Sequence, residues 1–433
     1  MKEKIVVGLD IGTTKICAIV GKLDENGSIN ILGIGKAPSE GLNRGVVANI
    51  DKTVKSIQAA ISDAQNASGM EIKSVTVGIA GDHIQSFHSR GVVTIANPDH
   101  EVTEKDVNRL LADTRKIALP SDRQIIHVIP QEFIIDGQDG VIDPVGMTGI
   151  RMEANVHIIT GLVTAIRNIE KCVQKAGLQV DDIVLEPIAS SMSVLSPEEK
   201  EVGVALLDIG GGTTDLAIFE DKTIRKTSVI ALAGQKVTDD IRHGLGILQH
   251  QAEFLKVNYG ITHISELVAD EKLLIEGISG RPPKEVQRST LCQIIQPRME
   301  EILEIVRDEI QASGYGRKLS AGLVITGGGA MILGIATLAR ELTGLDVKIG
   351  IPTGLDGGLV REVENPMYAT SVGLVIHGLT AGKASQIISR NGLNEIESSL
   401  ETEEEKPEVT DKQKGTGKGA EIIDKMKNWF KDL

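Results

Sequence analysis

Two segments far apart in the chain carry residue types suited to holding a phosphate. Asp10-Ile11-Gly12-Thr13-Thr14-Lys15 lies between the apolar runs IVVGL and ICAIV. Gly12 permits a turn that a Cβ would obstruct. Backbone N–H groups exposed in such a turn can cradle phosphate oxygens. Thr13 and Thr14 add hydroxyl donors and Lys15 a positive point charge. Asp10 is placed to hold a hydrated Mg²⁺. The second segment is Asp208-Ile209-Gly210-Gly211-Gly212-Thr213-Thr214-Asp215, directly after VALL. Glycine costs a strand or helix roughly 0.5–1 kcal/mol relative to Ala. Three in a row are easiest to justify if backbone must approach a ligand closely. Asp208 and Asp215 flank the loop as possible oxygen donors toward Mg²⁺. Either loop alone reads equally well as an ordinary Gly-Thr hairpin. Together they read as two jaws closing on one Mg–triphosphate.

A third segment, Gly322-Leu323-Val324-Ile325-Thr326-Gly327-Gly328-Gly329-Ala330, is a buried strand running into a glycine triplet. Bare backbone at Gly327, Gly328 and Gly329 suits packing against adenine or ribose. It lacks the G-x-G-x-x-G context of a dinucleotide site, and no GxxxxGK[ST] occurs. Asp136-Gly137-Gln138-Asp139-Gly140 begins like a calcium loop, but its twelfth position is Met147 instead of Glu, so a turn is expected. No HExxH or GxSxG is present.

The elements that must position these loops come in two similar sets. VVGLDIGTTKICAIVG and VALLDIGGGTTDLAIFE are one strand–turn–strand device used twice. That repetition predicts two homologous α/β halves. Helices are expected at 51–67, 104–117, 164–176, 187–195, 237–243, 265–274, 286–312 and 331–343. The clearest is 286–312, where Leu291, Ile294, Ile295, Met299, Ile302, Leu303, Val306 and Ile310 recur at steps of three and four. Residues 84–162 differ: strand-like pieces surround one helix, as in a small α+β insertion within the first half.

Composition sets limits. The chain has 433 residues, enough for two to four folded units at ~100–200 residues each. Lys+Arg number 46 against 60 Asp+Glu, a formal charge of −14. An acidic body repels DNA, RNA and anionic lipid unless a local patch intervenes. With one Trp, three Tyr and five Phe, stacking platforms for single-stranded nucleic acid are not expected either. Cys17, Cys172 and Cys292 are far apart and form no CxxC pair, which fits a reducing cytosol. The opening lacks a signal-peptide pattern. No apolar run of ~18 residues spans a bilayer, so membrane contact is expected to be peripheral.

The three glycine segments, in this order, resemble the phosphate 1, phosphate 2 and adenosine motifs of the actin-like ATPase superfamily. Leu185-Glu186-Pro187-Ile188-Ala189-Ser190-Ser191 resembles the segment whose Glu orients the attacking water in chaperone ATPases and MreB. Asn365-Pro366-Met367-Tyr368-Ala369-Thr370-Ser371-Val372-Gly373 resembles the second hinge. Within the superfamily the chain is similar to the bacterial cell-division family FtsA. The matching stretches are GLDIGTTKICAIVG, IDGQDGVIDPVGMTG, LLDIGGGTTDLAIF, LVITGGGA and NPMYATSVGL, spread over residues 6–376.

The resemblance implies an actin-like two-lobed α/β fold of duplicated ribonuclease-H-like halves. Its implied divisions are 1A at 1–83 and 163–200, an inserted 1C at 84–162, 2A at 201–235 and 313–382, and 2B at 236–312. It implies ATP and Mg²⁺ as ligands, with turnover slow at most. Gly234 and Gln235 would lie by the nucleotide, and Glu253 and Lys256 would reach ribose and adenine. Read without the family, Glu253 and Lys256 are a surface ion pair one helical turn apart. Glu186 would position water, although a carboxylate at a helix start is also favoured by the helix dipole. Subdomain 1C would serve polymer contacts and later division proteins. Subdomain 2B would receive the acidic FtsZ C-terminal tail, with Arg288 and Arg298 as its cations; solvated helix charges are the alternative. A small-molecule kinase, a chaperone ATPase and an MreB-like filament protein are the rival readings within the fold.

The end of the chain changes character. Residues 393–417 carry eight acids, among them Glu401, Glu403, Glu404, Glu405 and Glu408, and few apolar groups. Such a stretch buries too little surface to offset ordering entropy. A disordered linker is expected over 383–417. Residues 418–433 then place Ile422, Ile423, Met426, Trp429, Phe430 and Leu433 on one helical stripe, with Lys and Asp around the remainder. An amphipathic helix of this kind suits a lipid headgroup boundary; docking on the body or on another protein is the alternative. Six apolar side chains contribute ~1.5–3 kcal/mol each when fully buried, against ~1–2 kcal/mol per residue for ordering the backbone. One tail therefore binds modestly, and an array binds far more tightly. The family implies polymers on the cytoplasmic face of the cell membrane at the division site, tethering the FtsZ ring.

Overall fold

The run KIVVGLDI (Lys4–Ile11) pairs antiparallel with KICAIVGKL (Lys15–Leu23), with Asp10 opposite Cys17. Ser74–Ile79 lies parallel on the other side of the first strand. In the computed structural model, which describes residues 4–380 and Ile388–Ser389, these strands sit at the centre of a six-stranded sheet. Its order is Gln179–Leu185, Ser74–Ile79, Lys4–Ile11, Lys15–Leu23, Ile29–Pro38 and Gly357–Gly358.

The second half repeats the plan. VALLDI (Val204–Ile209) pairs antiparallel with Thr214–Glu220, placing Asp208 opposite Asp215. It pairs parallel with Leu323–Thr326, placing Asp208 beside Thr326. Thr223–Ile230 and Val347–Ile349 form the two edges. Every residue of Val204–Ile209 is buried, because both faces of the strand are covered. Val204 and Leu206 join the core of the first half, and Ala205, Leu207 and Ile209 the core of the second. Alternation along one strand thus joins the two halves.

Most expected helices occur. Ile50–Ser68, capped by the Asn49 side chain on Lys52 N–H, fills the first. Arg288–Ala312 turns Leu291, Ile295, Met299, Ile302, Leu303, Val306 and Ile310 inward, as its periodicity predicts. The helix expected at 265–274 is absent. Ile264–Glu266 makes one 3₁₀ turn, and Lys272–Ile275 is a strand paired with Lys284–Gln287. Leu273 and Ile275 face in while Lys272 and Leu274 face out, a period of two. Conversely, Ala369–Thr380 is a helix that periodicity gives no sign of, because it is buried on nearly all sides. The sequence boundaries group it with the second half at 313–382. Its Val372, Val375 and Leu379 instead pack with Cys17, Ile19 and Ile31 of the first sheet.

Residues 85–162 build a separate sheet. Gln85–Thr94, Arg151–Leu162 and Arg123–Ile135 pair in that order, with helix Glu104–Thr114 packed on them. Residues 125–129 and 132–135 belong to one strand with a register shift beside Pro130, which has no N–H for the ladder. Asp136 forms the expected turn, with its carboxylate accepting from Ile150 N–H and Arg151 N–H. Of the expected linker, the described Ile388–Ser389 extends the edge of this sheet opposite Val128 and His127. The amphipathic helix expected at 418–433 lies outside the described residues. Among the described residues no helix is long and apolar enough to cross a membrane.

The insert meets the second half along the edge strand Thr223–Ile230 by side chains on backbone carbonyls. Gln131 Nε2 donates to Ile224 O (2.9 Å), Ser86 Oγ to Thr227 O (3.1 Å), and His88 Nε2 lies 3.1 Å from Arg225 O. His157 Nε2 is 3.0 Å from Thr227 Oγ1, and the ring is fully buried. Burial, then the neighbouring His88 and Lys226, push the His157 pKa down to about 3. The fold thus favours neutral His157, and the unfolded chain binds the extra proton below its ordinary value near 6.5. His157's contribution to stability should be intact above pH 6.5 and fall by up to about 1.4 kcal/mol per pH unit between 6.5 and 3, against the opposite trend of carboxylates whose pKa the fold raises. Urea unfolding of wild type and His157→Gln against pH should show this slope in their difference; parallel curves would count against the assignment.

Candidate nucleotide site

The two hairpin turns and the third glycine loop converge on one cleft of about 280 Å³. Asp10, Gly12, Thr13, Thr14 and Lys15 line it from the first hairpin. Asp208, Gly210, Gly211, Gly212, Thr213 and Asp215 line it from the second, and Gly327, Gly328 and Gly329 from the third. Gly234, Glu253, Lys256 and Glu186 complete the set. Two expected residues stand apart. Thr214 is buried behind the turn and donates to Leu232 O (2.7 Å). Gln235 uses its N–H to hold Gly211 O (2.8 Å), so it braces the second hairpin through backbone.

The hairpins touch. A Cβ on Gly211 would collide with the Thr14 side chain, and one on Gly212 with Thr13 and, at 3.0 Å, with Arg44 Cα. These glycines are therefore demanded by the opposite hairpin, a reason other than the close ligand approach expected from sequence. Gly328 does face open space, with nothing within 4 Å of a Cβ built there. Gly327 has φ +82° and lies against Asp208 Oδ1.

Four carboxylates sit in this cleft. Desolvation, then Asp10, Asp215 and Asp208, hold Glu186 well above the usual carboxylate range. Burial, then Asp208, pushes Asp215 up to about 8. Burial raises Asp10 and Asp208 as well, opposed by Lys15 and by hydroxyl donors. Asp215 accepts from Thr213 Oγ1 (3.0 Å) through Oδ2, while its buried Oδ1 has no hydrogen-bond partner. Such a cluster, with an orphaned oxygen, fits a cation in the cleft. Among the described residues no three acidic, His or Cys side chains are grouped to hold a metal directly. Mg²⁺, which keeps several waters, fits that donor set. Asp10 and Asp208 would then act through water, with no step of chemistry required of them beyond orientation.

The cations are engaged. Lys15 Nζ donates to Met367 O (2.8 Å) and stands 4.6 Å above the Tyr368 ring. Lys256 is buried, and its Nζ donates to Gly234 O (3.1 Å), Thr238 Oγ1 (2.9 Å) and Glu253 Oε2 (2.8 Å). Glu253 and Lys256 are thus a partly buried clamp on the Gly234 turn instead of a surface pair. Arg298 forks onto Asp240 (2.6 and 3.2 Å) and also meets Glu301. Arg288 Nε donates to Tyr259 O (3.1 Å), with Glu271 at 3.7 Å. Both arginines lie outside the cleft and are paired within the fold.

Sequence reasoning passed over the hydroxyls beneath the carboxylates. Ser190 Oγ donates to Asp208 Oδ2 (2.7 Å) and Thr370 Oγ1 to the same oxygen (3.2 Å). Ser371 Oγ donates to Asp10 Oδ2 (3.1 Å). All three stand in stretches already singled out, LEPIASS and NPMYATSVG, but nothing in one dimension shows which carboxylate each will meet.

Solved structures of similar fold define the fold class. The chain superposes on the PilM–PilN type IV pilus biogenesis complex with a TM-score of 0.64 at 16% identity, covering 86% of this chain and 98% of that one. It superposes on MreB5 of Spiroplasma citri bound to ADP with a TM-score of 0.51 at 16% identity, covering 92% and 98%. The fold is that of the actin-like ATPases, with an inserted domain. The family model for cell division protein FtsA matches residues 205–373, and that for the SHS2 domain inserted in FtsA matches residues 81–160. The cell division protein FtsA of Pseudomonas aeruginosa is 43% identical over 411 residues, covering 95% of this chain and 97% of its own. That of Escherichia coli K12 is 39% identical over 383 residues, covering 87% and 90%. The chain belongs to the FtsA family of cell-division proteins.

The interlocked hairpins generate a contrast in stability. Gly212→Val should lower stability by about 1–3 kcal/mol through overpacking. Gly328→Ala should change it by less than about 0.5 kcal/mol. Urea denaturation of both variants measures the difference, and equal midpoints would exclude the interlock.

Proposed function

We propose that this chain binds Mg–ATP in the cleft and works as a membrane-bound scaffold of bacterial division, with hydrolysis slow at most. The single observation that carries the nucleotide reading is the cluster of buried Asp10, Asp208 and Asp215 with half-buried Glu186 among three glycine turns. A triphosphate entering beside these carboxylates requires a cation to offset the repulsion. The turns supply backbone and hydroxyl donors to phosphate oxygens. Gly327–Gly329 would lie along the adenosine, and Glu253 and Lys256 would reach its ribose and base. Glu186, half-buried and held well above the usual carboxylate range, would orient water beside the cation. Phosphoryl transfer needs little beyond such positioning.

Family membership supports the wider role: polymers on the cytoplasmic face of the cell membrane, tethering of the FtsZ ring at the division site, and recruitment of later division proteins through residues 84–162. In this reading the FtsZ tail docks on 236–312, where an acidic peptide would compete with Asp240 and Glu301 for Arg298. The stripe Ile422, Ile423, Met426, Trp429, Phe430 and Leu433 supports attachment to lipid.

Mg–ATP binding by the full chain, measured by calorimetry, tests the cleft. Asp208→Ala and Gly211→Val should each abolish it, and wild-type affinity in either refutes the site. Co-sedimentation with anionic vesicles tests the tail. Trp429→Glu, or removal of 418–433, should leave most protein in the supernatant; full sedimentation of both would refute lipid anchoring.

A further inference from the structure

Thr370 and Ser371 are adjacent at the start of helix Ala369–Thr380, and their hydroxyls diverge to different hairpins. Thr370 Oγ1 donates to Asp208 Oδ2, on the second hairpin (3.2 Å). Ser371 Oγ donates to Asp10 Oδ2, on the first (3.1 Å). Ser190 Oγ, from helix Glu186–Val194, bonds the same Asp208 oxygen (2.7 Å) and lies 2.9 Å from Thr370 Oγ1. In each carboxylate one oxygen is therefore tied to the floor of the cleft. The other is turned toward a glycine turn: Asp208 Oδ1 lies against Gly327, and Asp10 Oδ1 is 3.6 Å from where a Gly12 Cβ would stand. Ser190 and Ser371 are almost fully buried and Thr370 is 8% exposed, so water does not compete freely for these bonds.

We propose that Thr370 and Ser371 are positioning residues that fix Asp208 and Asp10 relative to each other, each presenting one oxygen to a hydrated divalent cation shared by the two lobes. Ser190 seconds Thr370 at Asp208. Because the two hydroxyls are on consecutive residues of one helix, they set the carboxylates of both hairpins from a single rigid element. Hydroxyls that hold metal-side carboxylates act on the metal more than on the organic ligand. The inference rests on the Mg–ATP reading of the cleft.

The test compares nucleotide affinity in EDTA with affinity across a Mg²⁺ titration, using the full chain and ATP. In Thr370→Val/Ser371→Ala the affinity in EDTA should stay within about twofold of wild type, while the Mg²⁺ needed for half-maximal enhancement rises about 10- to 100-fold. Thr370→Ser, which keeps the hydroxyl, should leave the Mg²⁺ requirement near that of wild type when placed with wild-type Ser371. An unchanged Mg²⁺ requirement in the double variant overturns the proposal. So does equal loss of ATP with and without Mg²⁺ in a variant that melts like wild type, since that is general damage to the cleft. Ser190→Ala, a smaller change at Asp208 alone, carries the same comparison if the double variant does not fold. A wild-type chain that binds no ATP in either condition would refute the nucleotide reading and this inference with it. Failure confined to the variants refutes only the positioning role.

Discussion

Crowding Asp10, Glu186, Asp208 and Asp215 around one small cleft, three of them buried, is the constraint on which the rest of the structure turns. Desolvation raises all four, and neighbouring carboxylates add to it at Glu186, Asp208 and Asp215, the last reaching about 8. Such a cluster persists because each member is held by something rigid. Two of them end buried strands, at positions where the sheet leaves no freedom. Glu186 opens a helix whose Ser190 also serves Asp208. Hydroxyls and Lys15 offset part of the repulsion, and the residue of negative potential is what invites a cation.

Duplication explains how two remote sequences come to share that space. Each half has a central strand with Asp next to its last residue that turns at glycine and returns antiparallel, with a parallel strand beside it. Facing copies bring equivalent turns together, and Thr13 and Thr14 occupy the space that side chains at Gly211 and Gly212 would need. Ala369–Thr380 and Val204–Ile209 knit the halves: one lies on the first sheet while touching both carboxylates, the other shares its two faces between the cores. The insert is rooted in the first half and docked on the edge strand of the second through polar side chains. A seam of this kind also covers carbonyls that an open sheet edge would expose.

Much of this was legible in one dimension, and for definite reasons. Glycine runs after apolar strands, bounded by Asp and Thr, have few explanations, and their repetition points to paired halves. Helix Arg288–Ala312 declares itself because one face is buried and the other wet. Ala369–Thr380 does not, since a helix covered on nearly all sides has no stripe to read. Lys272–Ile275 reads as helix in the sequence because four residues of alternation are too few to outweigh neighbouring helix formers. Arg288 and Arg298 looked like free cations, but their partners Tyr259 and Asp240 come from other helices.

By itself, then, the sequence determined the family, the duplicated α/β plan, the glycine turns and the carboxylates available to them. These depend on residue type and local spacing, which the chain carries directly. The tertiary structure alone decided which groups meet: Thr14 against Gly211, Ser371 on Asp10, Lys256 on the Gly234 turn, His157 beneath Thr227. Those contacts join residues as many as 361 positions apart. Their energies come from burial and from hydrogen-bond distance, quantities that exist only once the two halves have closed on each other.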